Sequence, residues 1–153
     1  MSFITRIVTN LLLERPARKK DYAAFVKIYE TKGRAIQDKL GGAQDNEKNN
    51  KTLSHIIGIE RWGQSRLRVA MGDPFIDEEY DVRHRPARDT SWSDLKSQFA
   101  ETRAGSVALI REFSAENIPA STKIAHNQFG EVSIGAWLQY LQFHASTEAR
   151  GIK

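Results

Sequence analysis

Apolar residues recur every three or four positions in four long stretches of this chain, separated by polar segments punctuated by Gly, Pro, Asn and Asp. That period belongs to helices burying one face; strands alternate every second residue. The first stretch opens at Asp21, a good N-cap, carries Tyr22, Phe25, Tyr29, Ile36 and Leu40 inward, and stops at Gly41-Gly42. The polar run 43–51 reads as a loop or a frayed first turn. A second helix follows over 52–71, with Leu53, Ile56, Ile57, Gly63, Leu67 and Ala70 as its core face and Gly72, Asp73 and Pro74 as its stop. Gly58 and Gly63 weaken it by about 1 kcal/mol each relative to Ala, and suit close helix contact. The third has the strongest pattern: Trp92, Leu95, Phe99, Thr102, Ser106, Leu109 and Phe113 follow a capping box of Ser91 and Asp94. The fourth opens at Ser133, with Val132 placed to staple onto Trp137, and its stripe runs Ile134, Trp137, Leu138, Leu141.

The remaining segments are shorter. Phe3, Ile4, Ile7, Val8, Leu11 and Leu12 form an amphipathic extension over 1–15, ended by Pro16, that caps the other helices or enters a dimer interface. In the long connection 73–90, Asp77, Glu78, Glu79 and Asp81 precede Arg83, Arg85 and Arg88. Connections of that length in compact domains often serve as lids or mobile covers. His84, set among these arginines, is expected to face solvent. Residues 123–131 are turn-rich and suit a short hairpin around Asn127 to Gly130. The expectation is one all-α domain over 1–153, an up-down four-helix bundle with an extra short N-terminal helix.

Composition changes this picture little. A hydrophobic share of 40% and a charged share of 27% fit a globular domain, and no run approaches the length of a membrane span. No signal peptide is read at the N-terminus, so a cytoplasmic location is expected. The net charge of +4 invites a nucleic-acid reading. However, the basic residues are dispersed apart from Arg15, Arg18, Lys19 and Lys20, and no nucleic-acid motif accompanies them. With no cysteine, a transition-metal site must use histidine and carboxylate.

Candidate chemistry lies in the last helix. Extending its stripe past Leu141 by the same steps reaches His144 and Glu148. An imidazole and a carboxylate at inward positions cost several kcal/mol if unpaired. One turn apart, about 6 Å of rise, they can pair with each other or hold one cation. His55 stands near the start of the second helix at the edge of its apolar face, followed along that edge by Ile59, Trp62 and Val69. Trp62 reads as core or as the wall of a pocket. Glu60 reads as a surface residue, or else as a partner to a ligand. His126, before a Phe-Gly turn, reads as structural or exposed, or as lying at a pocket mouth.

Two stretches, LSHIIGIERWGQSRLRVAMGDP (53–74) and HNQFGEVSIGAWLQYLQFHASTE (126–148), together resemble the DinB/YfiT-like four-helix-bundle proteins of bacteria. The first is similar to the family's second bundle helix with its single ligand histidine, here His55. The second is similar to the family's succession of a histidine, a Phe-Gly turn, a Trp-bearing helix and H-x-x-x-H. The chain departs from that pattern in carrying Glu148 where the family has its second histidine of the last helix. The resemblance implies a divalent ion, zinc, nickel, iron or manganese, held by His55, His144 and Glu148. It also implies relatives that act as thiol-dependent S-transferases or isomerases, with a low-molecular-weight thiol as partner. Two functions are therefore expected: a metal-dependent transferase, isomerase or hydrolase acting on a small electrophile, or a catalytically silent, metal-free, dimeric bundle with a stress-associated or binding role. A homodimer is expected under either; nucleic acid and membrane are not expected as partners.

Overall fold

The computed structural model describes residues 9–153 and is mostly helical. A π-helical turn, Asn10–Glu14, runs without a break into the short α1, Arg15–Ala17, which carries Pro16. Four long helices follow: α2, Tyr22–Gly42; α3, Glu47–Arg68, continued by a 3₁₀ turn; α5, Trp92–Ala115; and α6, Ile134–Glu148. The short α4, Tyr80–Arg83, lies within the long connection. Strands β1, Lys123–His126, and β2, Gly130–Ser133, pair as an antiparallel hairpin before α6. Among the described residues no helix is long and apolar enough to cross a membrane.

Capping residues set the helix starts. Asp21 Oδ1 accepts from Ala24 N at 2.7 Å, Ser91 Oγ from Asp94 N at 3.1 Å, and Ser133 Oγ from Ala136 N at 3.0 Å. Asn46 does the same for α3, accepting from Asn49 N at 2.9 Å. The polar run after Ala43 is therefore helical from Glu47 instead of being mostly loop, because one good cap makes an Asn- and Lys-rich first turn sufficient. At the other end of α3 the chain turns at Gly72, whose φ of 99° suits glycine.

The long helices pack as a cycle: α2 on α5, α5 on α3, α3 on α6, and α6 on α2. α3 and α5 run the same way, since Arg61 reaches Gln98 and Thr102, Gln64 reaches Thr102 and Ser106, and Arg68 reaches Glu112. The order is thus up, down, down, up, and the simple up-down alternation fails between α3 and α5. The connection 72–91 permits this, since it spans far more than the roughly 33 Å needed to return along α3.

Two apolar clusters fill the interior. One gathers Phe25, Trp62, Phe113, Val132, Trp137 and Leu141 near the hairpin; the other gathers Ile36, Leu53, Ile56, Trp92, Phe99 and Ala145 near the opposite end. Between them lies a buried polar layer. Glu60 accepts from Ser106 Oγ at 2.6 Å and pairs with Arg103 at 2.8 Å, while Arg103 donates to Gln142 at 3.0 Å and lies over the Tyr29 ring. Glu60 is 1% exposed, so the surface reading of it is corrected: it is the buried partner of Arg103.

Only the end of the N-terminal stripe lies within the described residues. Phe3, Ile4, Ile7 and Val8 lie outside the described residues. Leu11 and Leu12 point outward, 49% and 60% exposed, while Leu13, Glu14 and Ala17 are buried. Glu14 is held inward because its carboxylate accepts from Ser133 N, Ser133 Oγ and Lys123 Nζ.

Candidate metal centre

The α3–α6 contact positions the site. Gly63 lets the helices close: a Cβ there would stand 2.5 Å from both δ carbons of Leu141. Toward the far end of the same contact, His55 of α3 faces His144 of α6, with their Nε2 atoms 3.1 Å apart. Glu148, one turn beyond His144, joins them, so that one ligand atom from each of the three lies within 4.8 Å of the others. Among the described residues no other group of His, Cys, Asp and Glu side chains meets this way.

All three side chains are half-buried. The inward positions after Leu141 belong instead to Ala145 on α6 and Ala149 in the 3₁₀ turn that follows it, at 2% and 3% exposure. His144 and Glu148 therefore border the core face, one residue back from the stripe extrapolated from the sequence. The step from Leu141 is four residues to Ala145, and a step of three leads to the flank.

Burial sets the protonation of the pair. His144 is pushed down to about 4, chiefly by desolvation and then by the neighbouring His55. His55 is also lowered, by burial and then Arg85, with Glu148 acting in the opposite sense. Both rings are thus neutral near pH 7 and offer lone pairs. Donor atoms around one tetrahedral zinc, each about 2.0–2.1 Å from it, lie about 3.3 Å apart. Two imidazole nitrogens at 3.1 Å with a carboxylate close by fit that set. The same 3.1 Å also fits an N–H···N hydrogen bond between neutral rings.

Aromatic rings surround the pair. Tyr80, delivered by α4, meets the His55 ring edge-on at 5.0 Å, and Tyr140, one turn before His144, lies 6.0 Å from it. Tyr140 also meets His126 at 5.0 Å. His126 is 5% exposed, packed among Trp62, Phe129 and Trp137, with its Nδ1 accepting from Gln128 N and its Nε2 without a partner among the described residues. Burial and the Arg66 charge push it down to about 4. His126 is therefore buried, one ring behind the triad. Trp62 is core as well, 3% exposed, in edge-on contact with His126 and Trp137, and its indole donates to Glu78 O at 2.9 Å. His84 is half-buried, 2.9 Å from Glu78 Oε1, not a freely solvated side chain, because the connection folds back on that carboxylate.

Three residues near the site escaped the sequence reading. Tyr140 precedes His144 by four residues, a spacing that flags it in retrospect. Tyr80 comes from the connection, where no period locates it. Arg66 is 2% exposed between the Trp62 and Phe75 rings and donates to Asn127 and Glu78 O. No family model, curated protein or solved structure matches this chain.

Proposed function

We propose that the chain is a DinB/YfiT-like four-helix bundle that holds one divalent cation with His55, His144 and Glu148. On this reading it acts as a metal-dependent enzyme on a small electrophilic molecule, with a low-molecular-weight thiol as the favoured co-substrate. The observation that carries this is the convergence of two neutral imidazoles and a carboxylate from two helices, with Nε2 atoms 3.1 Å apart. A divalent ion with three protein ligands and an open position lowers the pKa of a bound water or thiol. The protein supplies what surrounds that chemistry. Burial keeps His55 and His144 unprotonated, so no proton must leave before they serve as donors. Tyr80 and Tyr140 wall the pair with aromatic rings and limit water on two sides. α3 and α6, locked across Gly63, fix the spacing.

The competing reading is a metal-free bundle in which His55 and His144 simply hydrogen-bond; the same 3.1 Å separation favours it. Thiol consumption in the presence of an electrophile separates the two. Zinc- or nickel-loaded wild type should turn over, and H144A should not; equal rates in both would leave the silent bundle as the function. The reading also includes a homodimer, supported by the outward Leu11 and Leu12.

A further inference from the structure

A cavity of about 900 Å³ opens on the α5 side of α3, lined by Lys51 and Ser54 of α3, Arg85, Arg88 and Thr90 of the connection, and Leu95 of α5. Its volume is in the range of small-molecule sites. Its charge is one-sided: three cations line it against a single carboxylate, Glu47. Among the described residues none of these three cations forms an ion pair. Like charges gathered around one space repel unless an anion joins them.

The most buried of the three is also fixed in place. Gly58 has no side chain, and Arg85 crosses α3 there, its Cγ 2.6 Å from where a Cβ would stand. Its Nε donates to Ser54 Oγ at 3.3 Å and its Nη2 to Lys51 O at 3.2 Å. Nη1 is left with no partner among the described residues. A guanidinium anchored by part of its fork and open at the rest is preorganised for a phosphate or carboxylate.

We propose that this cavity binds a small anionic molecule, its phosphate or carboxylate groups held by Lys51, Arg85 and Arg88. The site borders the triad, since Arg85 lies over Gly58 beside Tyr80, the ring that meets His55, but none of its three cations is a proposed metal ligand.

Calorimetric titration of the metal-stripped full chain at low ionic strength tests it, with inorganic pyrophosphate and citrate as separate probes. At least one should bind one-to-one. K51Q/R85Q/R88Q should weaken it about tenfold or more, whereas K19Q/K27Q/K32Q, which removes the same charge from exposed positions, should leave it within about twofold. Preference for pyrophosphate points to a phosphorylated ligand, and preference for citrate to a polycarboxylate. If the triple variant does not fold, R88Q alone, at an exposed position, should still weaken binding measurably. The proposal is overturned if neither probe binds, if the two triple variants weaken binding equally, or if R88Q binds as wild type does.

Discussion

Replacing Gly63 with alanine probes the contact that sets the distance between His55 and His144. A Cβ at this position would stand 2.5 Å from both Leu141 methyls and 3.0 Å from Leu141 Cγ, where apolar carbons rest at about 3.5–4.0 Å. Leu141 is 1% exposed and cannot swing into solvent. Overpacking of this kind costs about 1–3 kcal/mol, and overlap with two methyls places G63A at the upper end. Removing a glycine from a helix interior returns about 1 kcal/mol. The net expectation is a loss of about 2 kcal/mol, or about 4–8 °C in Tm for a chain of this size. In the double variant G63A/L141A the new methyl enters space the leucine has left, so the two changes should couple favourably by about 1 kcal/mol or more. Thermal and urea denaturation followed by circular dichroism measure both quantities. A G63A protein melting at or above wild type would refute the reasoning, because Leu141 would then be free to repack and Gly63 would not set the helix spacing.

Other predictions follow from the same geometry. E60L leaves the Arg103 guanidinium buried without its carboxylate and should cost about 3–5 kcal/mol, with E60L/R103M recovering most of it; urea midpoints decide. On acidification, unfolded histidines take up protons near 6.5 while buried His126 and His144 resist until about 4. Stability should therefore hold above pH 6.5 and fall as pH drops from there toward 4, and H126F should shallow that fall in pH-dependent urea melts. Light scattering should show a dimer at micromolar concentration that deletion of residues 1–14, which removes the exposed Leu11 and Leu12, converts to a monomer; an unchanged mass would remove the proposed interface.

The helix starts were legible because capping is local: Asp21, Ser91 and Ser133 each bond an amide three residues on. The hairpin at β1 and β2 was legible for the same reason, through its turn residues. What failed depends on neighbours distant in sequence. The fate of Glu60 rests on Arg103 from another helix, and periodicity alone cannot assign a partner to a charge. The running direction of α5 rests on how the long connection returns, which its composition does not encode. His144 and Glu148 do come together with His55, but their place on the flank, with Ala145 and Ala149 inward, shows that a stripe of small residues is easily overlooked beside larger ones. Their meeting with His55 needed the resemblance, since nothing in the spacing of residues 55 and 144 links them.

Zinc titration of the metal-stripped chain, with bound metal counted after dialysis, addresses the triad itself. One equivalent should bind to wild type near neutral pH, and binding should weaken on acidification, because both histidines must be neutral to coordinate. H144A should lose the equivalent while keeping its helical spectrum, and E148H should keep or strengthen it. Wild type that takes up no stoichiometric zinc, or an H144A protein that binds it undiminished, would contradict the assignment of His55, His144 and Glu148 as a metal centre.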